Sequence, residues 1–98
     1  FLMYILIIQL VKGLIMIRIW AKLVVNSKTI KSTEISVNYD YHNFEEYVRE
    51  IAEKLDIPTP VILDKHIIDF TVYHRTRFFK EDFVESINFD KLILEDIG

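Results

Sequence analysis

The chain contains no cysteine. Disulfides, thiolate zinc sites and cysteine nucleophiles are therefore excluded, and the composition suits a reducing compartment. Glycine occurs only as Gly13 and Gly98, so no glycine-rich loop can cradle a phosphate. Proline is confined to Pro58 and Pro60. With so few chain breakers and 51% hydrophobic residues, the composition opposes disorder and describes a packed globule. Long apolar runs are also missing. The longest stretch without a charge, Phe1 to Val11, is eleven residues, and as a helix it reaches only about half the roughly 30 Å of a bilayer core.

That first segment fits poorly with the rest of the chain. Extending the apolar run to Ile17 takes in Lys12, which costs roughly 3 kcal/mol at mid-bilayer unless it snorkels. As a signal peptide it lacks both a basic start and a small-residue cleavage site. A third reading is preferred: Lys12-Gly13 can be encoded as AAAGGA or AAAGGG, a bacterial ribosome-binding sequence, and Leu14-Ile15 gives the usual spacing to a start at Met16. On this expectation residues 1–15 are a non-domain leader of translated upstream sequence, with a membrane segment as the alternative. Residues 16–98 are then one small domain.

The net charge of −3 conceals a gradient. Met16 to His42 carries +2, Asn43 to Leu63 −3, Asp64 to Lys80 +2 and Glu81 to Gly98 −5. A mildly acidic whole argues against indiscriminate binding to nucleic acid or anionic lipid, while a local basic strip remains available to one partner.

From Met16 the pattern is α+β. Ile17, Ile19, Ala21, Leu23 and Val25 alternate with Arg18, Trp20, Lys22 and Val24, the period of a strand with one face on a core. Asn26-Ser27-Lys28 is a turn signal, and the β-branched run Thr29 to Tyr39 completes an antiparallel hairpin. Phe44, Tyr47, Val48, Ile51, Ala52 and Leu55 form the stripe of an amphipathic helix, with Asn43 and Glu46 as an expected capping box. Val61-Ile62-Leu63 reads as a short strand, Asp64 as the cap of a short second helix from Lys65 to about Tyr73, and Phe89 to Asp96 as a C-terminal strand.

Four features invite a functional reading. His74-Arg75-Thr76-Arg77-Phe78-Phe79-Lys80 interleaves cations with aromatics, the chemistry that holds phosphates while stacking bases. The opposing expectation, which is favoured, is that Phe78 and Phe79 anchor the core while Arg75, Arg77 and Lys80 pair with the acids after Glu81. Trp20 points away from the Ile17–Ile19–Leu23 face and is either a partner surface or, slightly favoured, a second core face under the C-terminal segment. His66 and Asp69 share a helix face near His74, with His42 further off, but the spacing matches no metal-ligand motif, and no metal or cofactor is expected. Asp64, Asp69, Glu81 and Asp82 are as readily caps and solvated faces as an acid–base set. No nucleophile has a base at a telling spacing, so an enzyme is not expected.

The segments Ile19-Trp20-Ala21-Lys22, Leu63-Asp64-Lys65, Ile68-Asp69-Phe70, His74-Arg75-Thr76-Arg77-Phe78, Asp82-Phe83-Val84-Glu85 and Phe89-Asp90 with Leu92 resemble a family of short uncharacterised proteins from low-GC Gram-positive bacteria. The likeness spans nearly all of residues 16–98, and its members start at the position of Met16. It implies no catalytic or binding residue. The leading expectation is a small cytoplasmic binding or accessory module acting through contacts with another protein or with itself. The alternatives are a weak nucleic-acid or phosphate binder using His74, Arg75, Arg77 and Lys80, and a membrane-tethered domain if residues 1–15 are native.

Overall fold

The computed structural model describes residues 16–98; the leader and membrane-segment readings of Phe1 to Ile15 lie outside the described residues. Strands β1 (Met16–Val25) and β2 (Lys28–Asn38) form the antiparallel hairpin. Asn26 and Ser27 both take positive φ, 50° and 65°, giving the two-residue turn whose twist matches a hairpin. No glycine is present there. Instead the Asn26 N–H donates to Asp90 Oδ2 at 2.8 Å, which fastens the turn to a residue 64 positions away. The register pairs Ile17 with Val37 and Ile19 with Ile35, then slips between Leu23 and Val24 so that Ile30 has no opposite partner and stands 59% exposed.

Helix α1 (Phe44–Leu55) buries Phe44, Val48, Ile51, Ala52 and Leu55, as its stripe predicts. The expected Asn43 cap does not form: Asn43 closes a short 3-10 turn, Tyr41–Asn43, with its backbone near the helical region, so its side chain is not aimed at the helix amides. The turn is capped by Asp40, whose Oδ1 accepts the His42 N–H at 3.0 Å. Asp56 ends the helix in the left-handed region at φ 56°, and Lys31 Nζ on β2 donates to the Leu55 carbonyl at 2.8 Å.

Helix α2 spans Asp64–Tyr73. The segment before it, Val61 to Leu63, joins no sheet; Val61 donates its N–H to the Asp82 carbonyl at 2.7 Å. The short strand is β3 (Arg75–Phe79), on the far side of α2, and β4 (Lys91–Asp96) is the C-terminal strand. The four strands lie in the order β2-β1-β4-β3, every neighbouring pair antiparallel. Both helices lie on one face of this sheet, where the Phe44 and Phe70 rings meet at 5.5 Å over Ile19, Ala21, Leu92, Leu94 and Phe78. Each large side chain buried there contributes roughly 1.5–3 kcal/mol. Among the described residues no helix is long and apolar enough to cross a membrane.

Candidate functional site

Among the described residues strand β3 is a sheet edge, and its alternation divides its residues by role. Thr76 and Phe78 are buried beneath the helices; Arg75, Arg77 and Phe79 point to the other face. Asp96 donates its N–H to the His74 carbonyl at 2.9 Å, so the register makes Thr76–Leu94 and Phe78–Leu92 the hydrogen-bonded pairs of the β3–β4 ladder. The N–H and C=O groups of Arg75 and Arg77 therefore face outward along the free edge. The Phe79 N–H is already used, donating to Asp82 Oδ2 at 2.8 Å.

Along that edge runs a groove of about 340 Å³ lined by Asp69 and Tyr73 of α2 and by Arg75, Thr76, Arg77 and Phe79 of β3. Helix α2 ends at His74 with φ 64°, and this left-handed turn folds β3 back beside the helix. Two observations mark the groove. Thr76 is 3% exposed, and its Oγ1 has no hydrogen-bond partner among the described residues. In addition, no ion pair among the described residues joins Arg75, Arg77 or Lys80 to an acid. Glu95, the cross-strand neighbour of Arg75, is held instead by Lys22 at 2.6 Å. His74 is exposed, with Nδ1 3.2 Å from Asp96 Oδ2, and Lys80 opens the 3-10 turn Lys80–Asp82 beyond the strand.

Trp20 lies on the sheet face opposite the helices, half-buried, between Glu34 and Glu95 in register, with Lys22 Nζ 4.4 Å above its ring. The C-terminal strand runs beside it rather than over it. Val24 and Ile93, both buried, share this face.

Spacing pairs His66 with Asp69, whereas the fold pairs it with Asp82. His66 Nδ1 accepts the Leu63 N–H at 3.0 Å, which leaves the proton on Nε2, 3.6 Å from Asp82 Oδ2. That separation is too long for a hydrogen bond, and Nε2 has none. The ring is sealed from solvent, tilted 31° against Phe78 with ring centroids 4.2 Å apart, and burial holds its pKa below the ordinary value, with the Asp82 charge partly opposing. Such a sealed pair joins the start of α2 to the end of β3. Asp64 is the first residue of α2 rather than its cap, since Leu63 occupies the cap position and the His66 ring takes the Leu63 amide. Among the described residues no three His, Asp or Glu gather closely enough to hold a metal ion.

Two further hollows, of about 390 and 540 Å³, flank the segment 83–90. Val84, 89% exposed, lies at the second. No family model, curated protein or solved structure matches this chain.

Proposed function

We propose that the domain is a binding module that works through protein contacts, in the cytoplasm, with the free edge of β3 as the contact. The supporting observation is that, among the described residues, the backbone of Arg75 and Arg77 is unpaired beside a groove whose cations have no ion-pair partner. A free strand edge is a template for another strand, and main-chain pairing supplies affinity without a deep pocket. The absence of cysteine suits the cytoplasmic setting.

Selection from a displayed library of random peptides tests this reading. The native domain should enrich extended sequences, and Arg77→Pro should abolish the enrichment, because proline removes an outward N–H while leaving the β4 ladder in place. Enrichment that survives Arg77→Pro moves the contact elsewhere.

A second reading has its own support. Arg75, Arg77 and Lys80 carry unneutralised charge, and Tyr73 and Phe79 are 71% and 39% exposed, the cation–aromatic mix that holds single-stranded nucleic acid. It requires oligonucleotide affinity that falls steeply with salt and is lost in an Arg75→Glu/Arg77→Glu variant. Salt-insensitive behaviour rejects it.

A further inference from the structure

Resting on the reading of β3 as a protein contact, we infer that the groove between α2 and β3 takes an extended peptide strand carrying acidic side chains at alternate positions. The outward N–H and C=O groups of Arg75 and Arg77 set the pairing. The Phe79 amide, occupied by Asp82, limits it at one end.

Side chains of an added strand alternate between the two faces of the sheet, as do those of β3. Every second residue of the ligand thus lies beside the guanidinium groups of Arg75 and Arg77, which among the described residues have no ion-paired carboxylate. The intervening residues face α2, where they meet Asp69, Tyr73 and Thr76. Asp69 repels a carboxylate on that side, so the acidic positions cannot exchange with the others. A hydroxyl donor suits the Asp69 carboxylate. The resulting pattern is acid, hydroxyl, acid.

The same features weigh against two other occupants. A second copy pairing through β3 would set Arg77 against Arg77, or Arg75 against Arg77, on one face, and like charges directly opposite are destabilising. A DNA backbone offers acceptors only, whereas the free edge alternates donors with carbonyl acceptors that repel phosphate.

The test is titration of the domain with a capped peptide of alternating glutamate and threonine, beside its glutamine–threonine counterpart and an oligothymidylate of equal charge. At low salt the glutamate peptide should bind about tenfold more tightly than the glutamine peptide, the effect of two exposed charge pairs. That preference should vanish in Arg75→Gln/Arg77→Gln, whose unchanged melting curve shows that folding is intact. Equal affinity for the two peptides overturns the acidic specificity and leaves the binding module standing. Preference for the oligothymidylate overturns both in favour of nucleic acid. If neither peptide binds, the inference fails, and the display selection then decides separately whether the β3 edge binds protein at all.

Discussion

Helix α1 lies over β2 with an apolar stripe, Phe44, Val48, Ile51 and Leu55, and spends its polar groups at the rim: Glu45 with Arg49 at 3.4 Å, Lys54 on the Glu34 carbonyl at 3.4 Å. Helix α2 lies over β3 differently. It buries His66, Phe70 and Thr71 above Thr76 and Phe78, and Asp82 is drawn in from the following turn. Both halves remove apolar area from water, but only the second mixes buried polar groups into that core. Polar groups without a partner among the described residues, the sealed His66 Nε2 and Thr76 Oγ1 and the exposed Arg75 and Arg77 guanidiniums, are found in the second half, and a ligand can reach the two arginines.

The difference can be broken most severely in the first half. Ile51→Asp places a charge in a site that is 0% exposed among apolar side chains, and we expect a loss of more than about 4 kcal/mol. The cooperative thermal transition should disappear; a folded, melting variant would contradict the account of α1.

In the second half the lever is pH. The unfolded His66 takes a proton near pH 6.5, but burial delays that step to lower pH in the folded protein. The unfolded state therefore binds more protons in this window. Stability is complete above about pH 6.5 and falls as pH drops toward the folded pKa. Urea midpoints measured across that range should decline, and His66→Gln should flatten the part due to this ring. An unaltered slope in the variant would remove His66 as the cause.

Tyr39 joins the halves, its hydroxyl 2.7 Å from Thr71 Oγ1 and its ring 5.5 Å from Phe70. Tyr39→Phe should cost about 1 kcal/mol by stranding the Thr71 hydroxyl, and adding Thr71→Val should recover much of it. Burial also raises the phenol's pKa, so its contribution is complete below about pH 10 and fades as pH rises further. Chemical denaturation of the two variants checks the recovery; strictly additive losses would refute the pairing.

Arg75→Gln/Arg77→Gln should change stability least, by no more than about 0.5 kcal/mol, since neither guanidinium has an ion-pair partner among the described residues. A melting temperature lowered by several degrees would make these side chains structural and sharpen the contrast the other way.

The same contrast governs what could be read before folding. Period-two alternation and the α1 stripe identify the hairpin and first helix because apolar burial leaves a regular trace. The Val61-Ile62-Leu63 run misleads: its apolar side chains resemble a strand's, but its backbone bonds the Asp82 carbonyl instead of a neighbour in the sheet. Asp82 as the partner of His66 leaves no trace, since sixteen positions separate them and only the return of β3 brings them together. The basic–aromatic strip is visible as chemistry; that it forms a sheet edge depends on β4 inserting beside β1, which no local pattern reports.

That insertion also shapes how the protein is made. β4 comes after every other described element in sequence yet sits between β1 and β3. During synthesis the hairpin emerges early with the flank of β1 unclosed, and β3 emerges with nothing to pair against. Sheet completion must therefore await the last strand, and folding is expected to be a late, nearly all-at-once event with many contacts between distant residues. Nascent chains halted before Lys91 should remain protease-sensitive beyond the hairpin; protection of β3 in such chains would show that the sheet closes by another route.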